Sequence, residues 1–357
     1  MNDDGEQEGI KAWGSLRADA PALRTEGELL LWSGDRVPNF VLPDPQGQLR
    51  YFYQLAGGAP TVLVLAANTA RQDQWDEIKG FAAAMPALRE AGADLVIVSN
   101  DGIESLAMVA KIIPEHAVWL ADIKGVVNLG LRTGSLFAFT GVVTFLLDAN
   151  QRAFAIRGLE AGQADWALAM LKARPVEPAH RLTTAAPVLL LPGILDGEDC
   201  ARLMNQMKDA DPASGTAPIA DPELAGRIAK LLLRRIGPEV EKSFGFDDFA
   251  FESTMLRWDS AGPAAAVDRR REIDDPAVQG RSFFLLVDLA AEAYEDGDVL
   301  FPEYGPHSYR PGTGGAIVFS GTMLRELKPV SAGRRTLLTA TLRRQPAKAV
   351  SEAAAAG

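Results

Sequence analysis

Residues Gly297–Ser320 read GDVLFPEYGPHSYRPGTGGAIVFS, and the fold of the C-terminal half turns on this stretch. Short apolar and aromatic runs are broken by Gly305, Pro306, Pro311, Gly312, Gly314 and Gly315. Glycine and proline at that density leave no room for a helix, so the chain is read as short strands joined by tight turns. The segment GTGG at 312–315 is a turn rather than a phosphate loop, because it runs into the strand AIVFS and no helix follows. The same texture extends outward from Phe251 to Leu342, the pattern of a β-sandwich or barrel. Ahead of it lie a strand, Val188–Leu191, and two helical stretches, Asp199–Lys208 and Pro222–Ser243.

The N-terminal half is built differently. Thr61–Ala67 (TVLVLAA) and Asp94–Ser99 (DLVIVS) are continuous apolar runs, as expected of strands buried on both faces. Between them, Gln74–Glu90 has helical spacing, with Trp75, Ile78, Phe81, Met85 and Leu88 on one stripe. A helix over Ile103–Ile112 and a short strand at Ala117–Leu120 follow. Val142–Leu147 then turns at Asp148–Gln151 into a returning strand, Ala153–Arg157, and a helix over Ala164–Ala173 closes the domain. This is βαβ followed by ββα, a thioredoxin-type order. The proline-rich stretch Pro175–Pro187 is the expected linker. The domains are thus expected at 31–174 and 188–345. A flexible lead-in ending in a short helix is expected over 1–30, and a disordered tail over 346–357. No internal repeat is visible.

Composition narrows the function classes. The 357 residues exceed one ordinary core, and the 47% apolar and 23% charged content suits a globular protein. The net charge of −11 disfavours nucleic acid and anionic membrane as partners. A single cysteine, Cys200, can form neither an internal disulfide nor a redox pair, which fits a reducing cytoplasm. The acidic N-terminus is the reverse of a signal peptide, and no apolar run is long enough for a membrane helix.

Gly34–Gly47 (GDRVPNFVLPDPQG) resembles the opening of peroxiredoxins, and VVTFLLDANQRAFAI (142–156) resembles that family's strand, turn and returning strand. The resemblance runs from Gly34 to Arg174 and implies a thioredoxin-like α/β domain. In that family a cysteine follows the first buried strand at the start of the next helix, where the helix dipole and an arginine make it a thiolate. The corresponding stretch, Ala66–Trp75 (AANTARQDQW), has no cysteine. No side chain there can be oxidised and recycled, so neither peroxidase nor disulfide-exchange activity is expected. A docking or stabilising role is the simpler reading. A small anion at this polar helix N-terminus is the alternative.

GDVLFPEY (297–304), the turn and strand PGTGGAIVF (311–319), and the closing PVSAGRR (329–335) resemble prolyl-4-hydroxylase-like 2-oxoglutarate/iron oxygenases. Pro187–Cys200 resembles that family's opening strand and first helix. The resemblance implies an α+β double-stranded β-helix (jelly roll). The family's reaction needs ferrous iron held by His-x-Asp and a distal histidine. Arg325 stands where the distal histidine belongs, and arginine has no lone pair to donate. The segment from Trp258 to Ser282 contains no histidine, and Arg270 and Glu272 fall nearest the expected ligand positions. The three histidines of the chain are His116, His180 and His307. Neither a metal nor an obligatory cofactor is therefore expected. One family feature survives: a basic residue ten positions after the distal ligand grips 2-oxoglutarate, and Arg335 sits ten after Arg325.

Losing a dication would leave buried carboxylates unpaired, so Arg325 is expected to replace its charge, paired with Asp268 or Glu272. Three functions stay open. The first is a non-catalytic shell that binds a small anion through Arg325, Arg335, Arg270 and Asp268, or a protein partner. The second is a metal-free proton transfer, elimination or cyclisation using Arg325, Glu272, His307 and Tyr309. The third is an oxygenase with unusual ligands from Asp268, Glu272, Asp274 and His307. The fused architecture also suggests a homodimer. The run Asp268–Asp275 (DRRREIDD) reads as a solvated loop, Trp75 and Trp258 as core, and Cys200 as a buried small hydrophobe.

Overall fold

The structure, a computed structural model, describes residues 31–111, 117–125, 127, 131, 141–158, 160–174, 181–207, 215–245, 249–260, 267–272 and 281–344. The expected lead-in, tail and first half of the linker lie outside these residues. The chain forms two compact units that divide between Pro178 and Ala179.

The first unit opens with an antiparallel pair, β1 (Val41–Pro43) and β2 (Leu49–Tyr51), and a single turn, α1 (Phe52–Leu55). Then come β3 (Thr61–Ala66), α2 (Gln72–Glu90), β4 (Asp94–Ser99), α3 (Ile103–Ala110), β5 (Ala117–Ala121), β6 (Val142–Leu147), β7 (Ala153–Gly158) and α4 (Gln163–Ala173). The five-stranded sheet has the order β5-β4-β3-β6-β7. β3, β4 and β5 are parallel, and β6 and β7 run antiparallel to their neighbours. This is a thioredoxin-like α/β fold. Every residue of β3 is buried because both faces are covered. Val62, Val64 and Ala66 pack on α2 and α4, and Leu63 and Leu65 on the other side with Phe40 and Phe52. One expectation is corrected in α2. Gln74, not Trp75, begins the buried stripe that continues through Ile78, Phe81, Met85 and Leu88, and Trp75 is only partly covered. The Gln74 amide is drawn inward by the loop it caps.

The second unit comprises β8 (Leu189–Leu191), α5 (Gly197–Gln206), β9 (Thr216–Pro218), α6 (Pro222–Phe244), β10 (Phe249–Ser260), β11 (Asp268–Arg270), β12 (Arg281–Asp288), β13 (Tyr294–Asp296), β14 (Val299–Leu300), β15 (Ser308–Tyr309), β16 (Ala316–Ser320), β17 (Arg325–Leu327) and β18 (Val330–Arg344). The larger sheet runs β8-β16-β12-β18-β10-β9, with β13 alongside β18, and the smaller runs β11-β17-β14-β15. All the pairings are antiparallel. The period-2 pleat sorts the side chains into two layers. Leu256, Trp258, Leu285, Val287, Val318, Leu338 and Ala340 face the helices, where they meet Leu203, Ile228, Leu232 and Ile236. The alternate residues Phe284, Leu286, Ile317, Phe319 and Leu337 face Val299, Phe301, Met323 and Leu327 on the smaller-sheet side. Two sheets closed over one inner layer make the double-stranded β-helix.

The turn before β16 depends on one glycine. Gly314 has φ +75°, and a Cβ there would lie 2.0 Å from the Leu195 carbonyl oxygen. Its amide donates to the Asp288 carbonyl and its carbonyl accepts from Leu195, so the backbone cannot retreat cheaply. Gly314→Ala should destabilise the second unit by about 3 kcal/mol, read as a lower urea midpoint at unchanged slope.

Candidate functional site

The site lies in the inner layer of the second unit, where β10, β11, β17 and β18 place charge instead of hydrocarbon. Across the β11–β17 ladder, Asp268 faces Leu327 and Arg270 faces Arg325. Leu327 belongs to the inner core, so Arg325, two residues earlier, points the same way. Its side chain is 1% exposed. Its Nε donates to Glu272 Oε1 at 2.8 Å, and NH2 to Asp268 Oδ2 at 3.1 Å. The expected ion pair is present with both carboxylates.

Two residues absent from the sequence reading extend it. Arg257 and Asp259 alternate along β10 with the core residues Leu256 and Trp258, so both face inward. Arg257 NH1 donates to Asp268 Oδ2 at 2.9 Å, and NH2 to Asp259 Oδ1 at 3.4 Å. Asp259 sits directly opposite Arg335 on β18 and accepts from its NH2 at 2.8 Å. Arg335 NH1 also donates to the carbonyls of Gly297 (2.5 Å) and Lys328 (2.9 Å). Arg270, with its side chain 52% exposed, lies 3.2 Å from Glu272 Oε2 at the rim. A continuous ladder of Arg270, Glu272, Arg325, Asp268, Arg257, Asp259 and Arg335 thus joins Arg325 on β17 to Arg335 on β18.

Burial pushes the Asp268 carboxyl up, but Arg325, Arg257 and Arg270 outweigh it and hold it down at about 2. Burial likewise works against the Arg257 charge, and Asp259 and Asp268 more than restore it. Asp268 is a poor base, because a bound proton would cost it its guanidinium partners.

Several expectations are corrected. Asp268–Arg270 form a strand rather than a solvated loop, and Asp268 and Glu272 flank the buried Arg325. Asp274, in the rest of that run, lies outside the described residues. His307 and Tyr309 do not join Arg325 and Glu272: β15 is the far edge of the smaller sheet, with β14 between it and β17. The Tyr309 hydroxyl instead accepts from the Ala186 amide at 2.9 Å, and its ring packs edge-on against Phe301. Arg335 does not present an open fork, since Asp259 and two carbonyls occupy it. Trp258 is core, and exposed Arg334 stacks over its outer rim at 5.3 Å.

The donor set does not fit ferrous iron. Arg325 has no lone pair to give, and oxygens of both Asp268 and Glu272 are committed to guanidiniums. Among the described residues no group of three or more His, Cys, Asp or Glu side chains could hold a metal. His116 and His180 lie outside the described residues.

A separate buried pair sits at the end of β12. The Tyr294 hydroxyl donates to Asp288, which also accepts from the Ala290 amide. Burial raises the pKa of both Asp288 and Tyr294.

In the first unit, the loop after β3 is already satisfied from within. The Ala67 and Asn68 amides donate to Gln74 Oε1 (2.8 and 2.9 Å), Thr69 to Asp101 Oδ2 (2.8 Å), and Ala70 to Asn68 Oδ1 (2.8 Å). These amides belong to the loop ahead of α2, whose own first turn has no side-chain cap. Cys200 is 2% exposed on α5, and burial, helped by Asp196, Asp199 and Asp288, pushes its thiol up to about 12.

No family model and no curated protein matches the chain. Among solved structures, peroxidoxin BcpB from Mycobacterium tuberculosis is 25% identical over 41% of this chain and 99% of its own, with a TM-score of 0.38. Peroxiredoxin Q of Xanthomonas campestris is 20% identical over 38% of this chain and 90% of its own, with a TM-score of 0.34. A truncated viral collagen prolyl hydroxylase from Paramecium Bursaria Chlorella virus-1 is 17% identical over 48% of this chain and 98% of its own, with a TM-score of 0.37. The chain is thus similar to a peroxiredoxin-type fold and to a prolyl-hydroxylase-type fold, each over less than half its length. Likenesses of this size say nothing of activity.

Two outcomes follow from the site. The Asp268 carboxyl is held below its unfolded value, so its stabilisation is complete above about pH 4 and is lost as pH falls toward 2. Acid titration of the whole chain should show a loss of up to about 2 kcal/mol over that window, absent from Asp268→Asn. The buried Cys200 should resist an aromatic disulfide reagent in the native state and react at once in denaturant.

Proposed function

We propose that the second unit is an oxygenase-type β-helix that has exchanged iron chemistry for a fixed ion ladder and serves as a binding module for an anionic molecule. The thiol-free first unit serves as a docking or stabilising domain. The observation that carries this is the placement of Arg325, buried and bonded to Glu272 and Asp268 where a metal ligand would stand. The charge of a lost dication is supplied by guanidiniums, and the coordination sites that oxygen chemistry needs are filled with side chains. A metal-free reaction has less support, because the candidate bases are locked in ion pairs and the pair His307 and Tyr309 lies across the smaller sheet. The anionic preference rests on the ladder itself, which sets four guanidiniums (Arg257, Arg270, Arg325, Arg335) against three carboxylates (Asp259, Asp268, Glu272).

A cytoplasmic location and a homodimer belong to the same proposal. Among the described residues no helix is long and apolar enough to cross a membrane.

The test is elemental analysis of the purified chain, then anaerobic titration with ferrous iron and an assay for succinate formed from 2-oxoglutarate. Substoichiometric metal, no saturable iron binding and no succinate are expected. One equivalent of iron, or metal-dependent succinate, would return the protein to the oxygenases.

A further inference from the structure

A groove of about 370 Å³ runs between α2 and α4 on the surface of the first unit. Gly80, Ala83, Ala84, Ala164 and Leu168 line it, and Asp76, Glu77 and Asp165 stand toward its start. The two helices run in the same sense. Glu77 accepts from the Gly162 and Gln163 amides at 2.9 and 3.0 Å, which fixes the start of α4 beside the second turn of α2. A Cβ on Gly80 would lie 3.7 Å from the Ala164 Cβ, and Ala84 and Leu168, one turn further along each helix, line the groove together. Gly80 is thus level with Ala164, and Ala84 with Leu168.

Both helices leave an exposed stripe beside this groove, and the two stripes share a pattern. Lys79, Ala83, Pro86 and Glu90 are exposed at the spacing of one helical face of α2. Asp165, Ala169 and Lys172 are exposed in the same way on α4. Each stripe ends in charges of opposite sign and is small and apolar between them. Asp165, Lys172 and Glu90 have no ion pair among the described residues, and Lys79 has one, to Asp76 at 2.7 Å. Apolar surface rimmed by charge marks a contact with another chain when the charges find their opposites there.

Reversing either stripe end for end exchanges its positive and negative ends. That is the property of a surface complementary to itself. The middle of the α2 stripe falls at Ala84 and Met85, and the middle of the α4 stripe at Leu168 and Ala169. These are level, so one axis serves both. We propose that this face joins two copies of the chain about a twofold axis that crosses both helices at that level. Each helix then lies antiparallel to its own copy. Lys79 meets Glu90 of the second copy, Asp165 meets Lys172, and Ala83 meets Pro86. Like charges are kept apart, since Arg89 comes opposite Gly80, and Glu77 opposite Gly92. A partner of another sequence would match this pattern by coincidence, whereas a second copy carries it by identity. The inference rests on the homodimer reading and gives that dimer its face.

Sedimentation velocity of the whole chain over a concentration series tests it. A reversible monomer–dimer equilibrium is expected, weaker at high salt. Asp165→Lys and Lys172→Asp each set like charges together twice in the dimer, and each should weaken it by about tenfold or more. Both residues are exposed, so each variant should keep the circular dichroism of the parent. An equimolar mixture of the two variants sets each reversed charge against its opposite and should dimerise as the parent does. A chain that stays monomeric throughout would overturn both this face and the homodimer reading. A dimer that neither reversal weakens would overturn the face alone. Weakened variants that the mixture does not rescue would overturn the twofold axis across the helices.

Discussion

The inner layer of the second unit depends on Arg325. A guanidinium at 1% exposure persists only where its charge is met, and Glu272 and Asp268 meet it at hydrogen-bonding distance. Those carboxylates tie β11 to β17, while Arg257 and Asp259 carry the pairing across to β10 and β18. Removing Arg325 would leave Asp268 to Arg257 and Glu272 to the half-exposed Arg270; removing either carboxylate would leave the buried arginine a single anionic partner. The arrangement is therefore held as a unit. Gly297 shows how tightly it is set: its φ is +80°, and a Cβ there would approach Arg335 NH1 to 2.9 Å.

The first unit satisfies backbone donors from within in the same way, in the loop between β3 and α2. Covered backbone donors need acceptors. Gln74 and Asp101 supply them from within, and Asp101 is itself fixed by the Ser99 hydroxyl at 2.6 Å. In both units, polar side chains in these places satisfy one another. A guanidinium cannot be a metal ligand, and an amide oxygen cannot be a thiolate.

Much of this was legible in the chain. The strands of the first unit were marked by unbroken apolar runs such as Thr61–Ala66, because a sheet covered on both faces requires them. The Gly/Pro turns around Gly305 and Gly314 marked the β-helix, since glycine takes the positive φ of those corners without strain. The partnership of Arg325 with Asp268 and Glu272 was foreseeable from charge balance. The alternation Leu256-Arg257-Trp258-Asp259 carried the signal for two more members of the ladder, but a period of two names a face and not the residue across from it.

The sequence by itself determined the two fold classes, the absence of cysteine from residues 66–75 and the absence of histidine from residues 258–282, because local pattern and residue identity suffice for those. The tertiary structure alone decided which charges meet. It brought Asp259 to Arg335, moved His307 and Tyr309 to the other edge of their sheet, paired Asp268 with Arg325 while leaving Arg269 and Arg270 exposed, and left NH1 of Arg325 without a partner among the described residues. Strand order and register settle such matters. They join residues far apart in the chain, and a one-residue shift reverses every side chain's face.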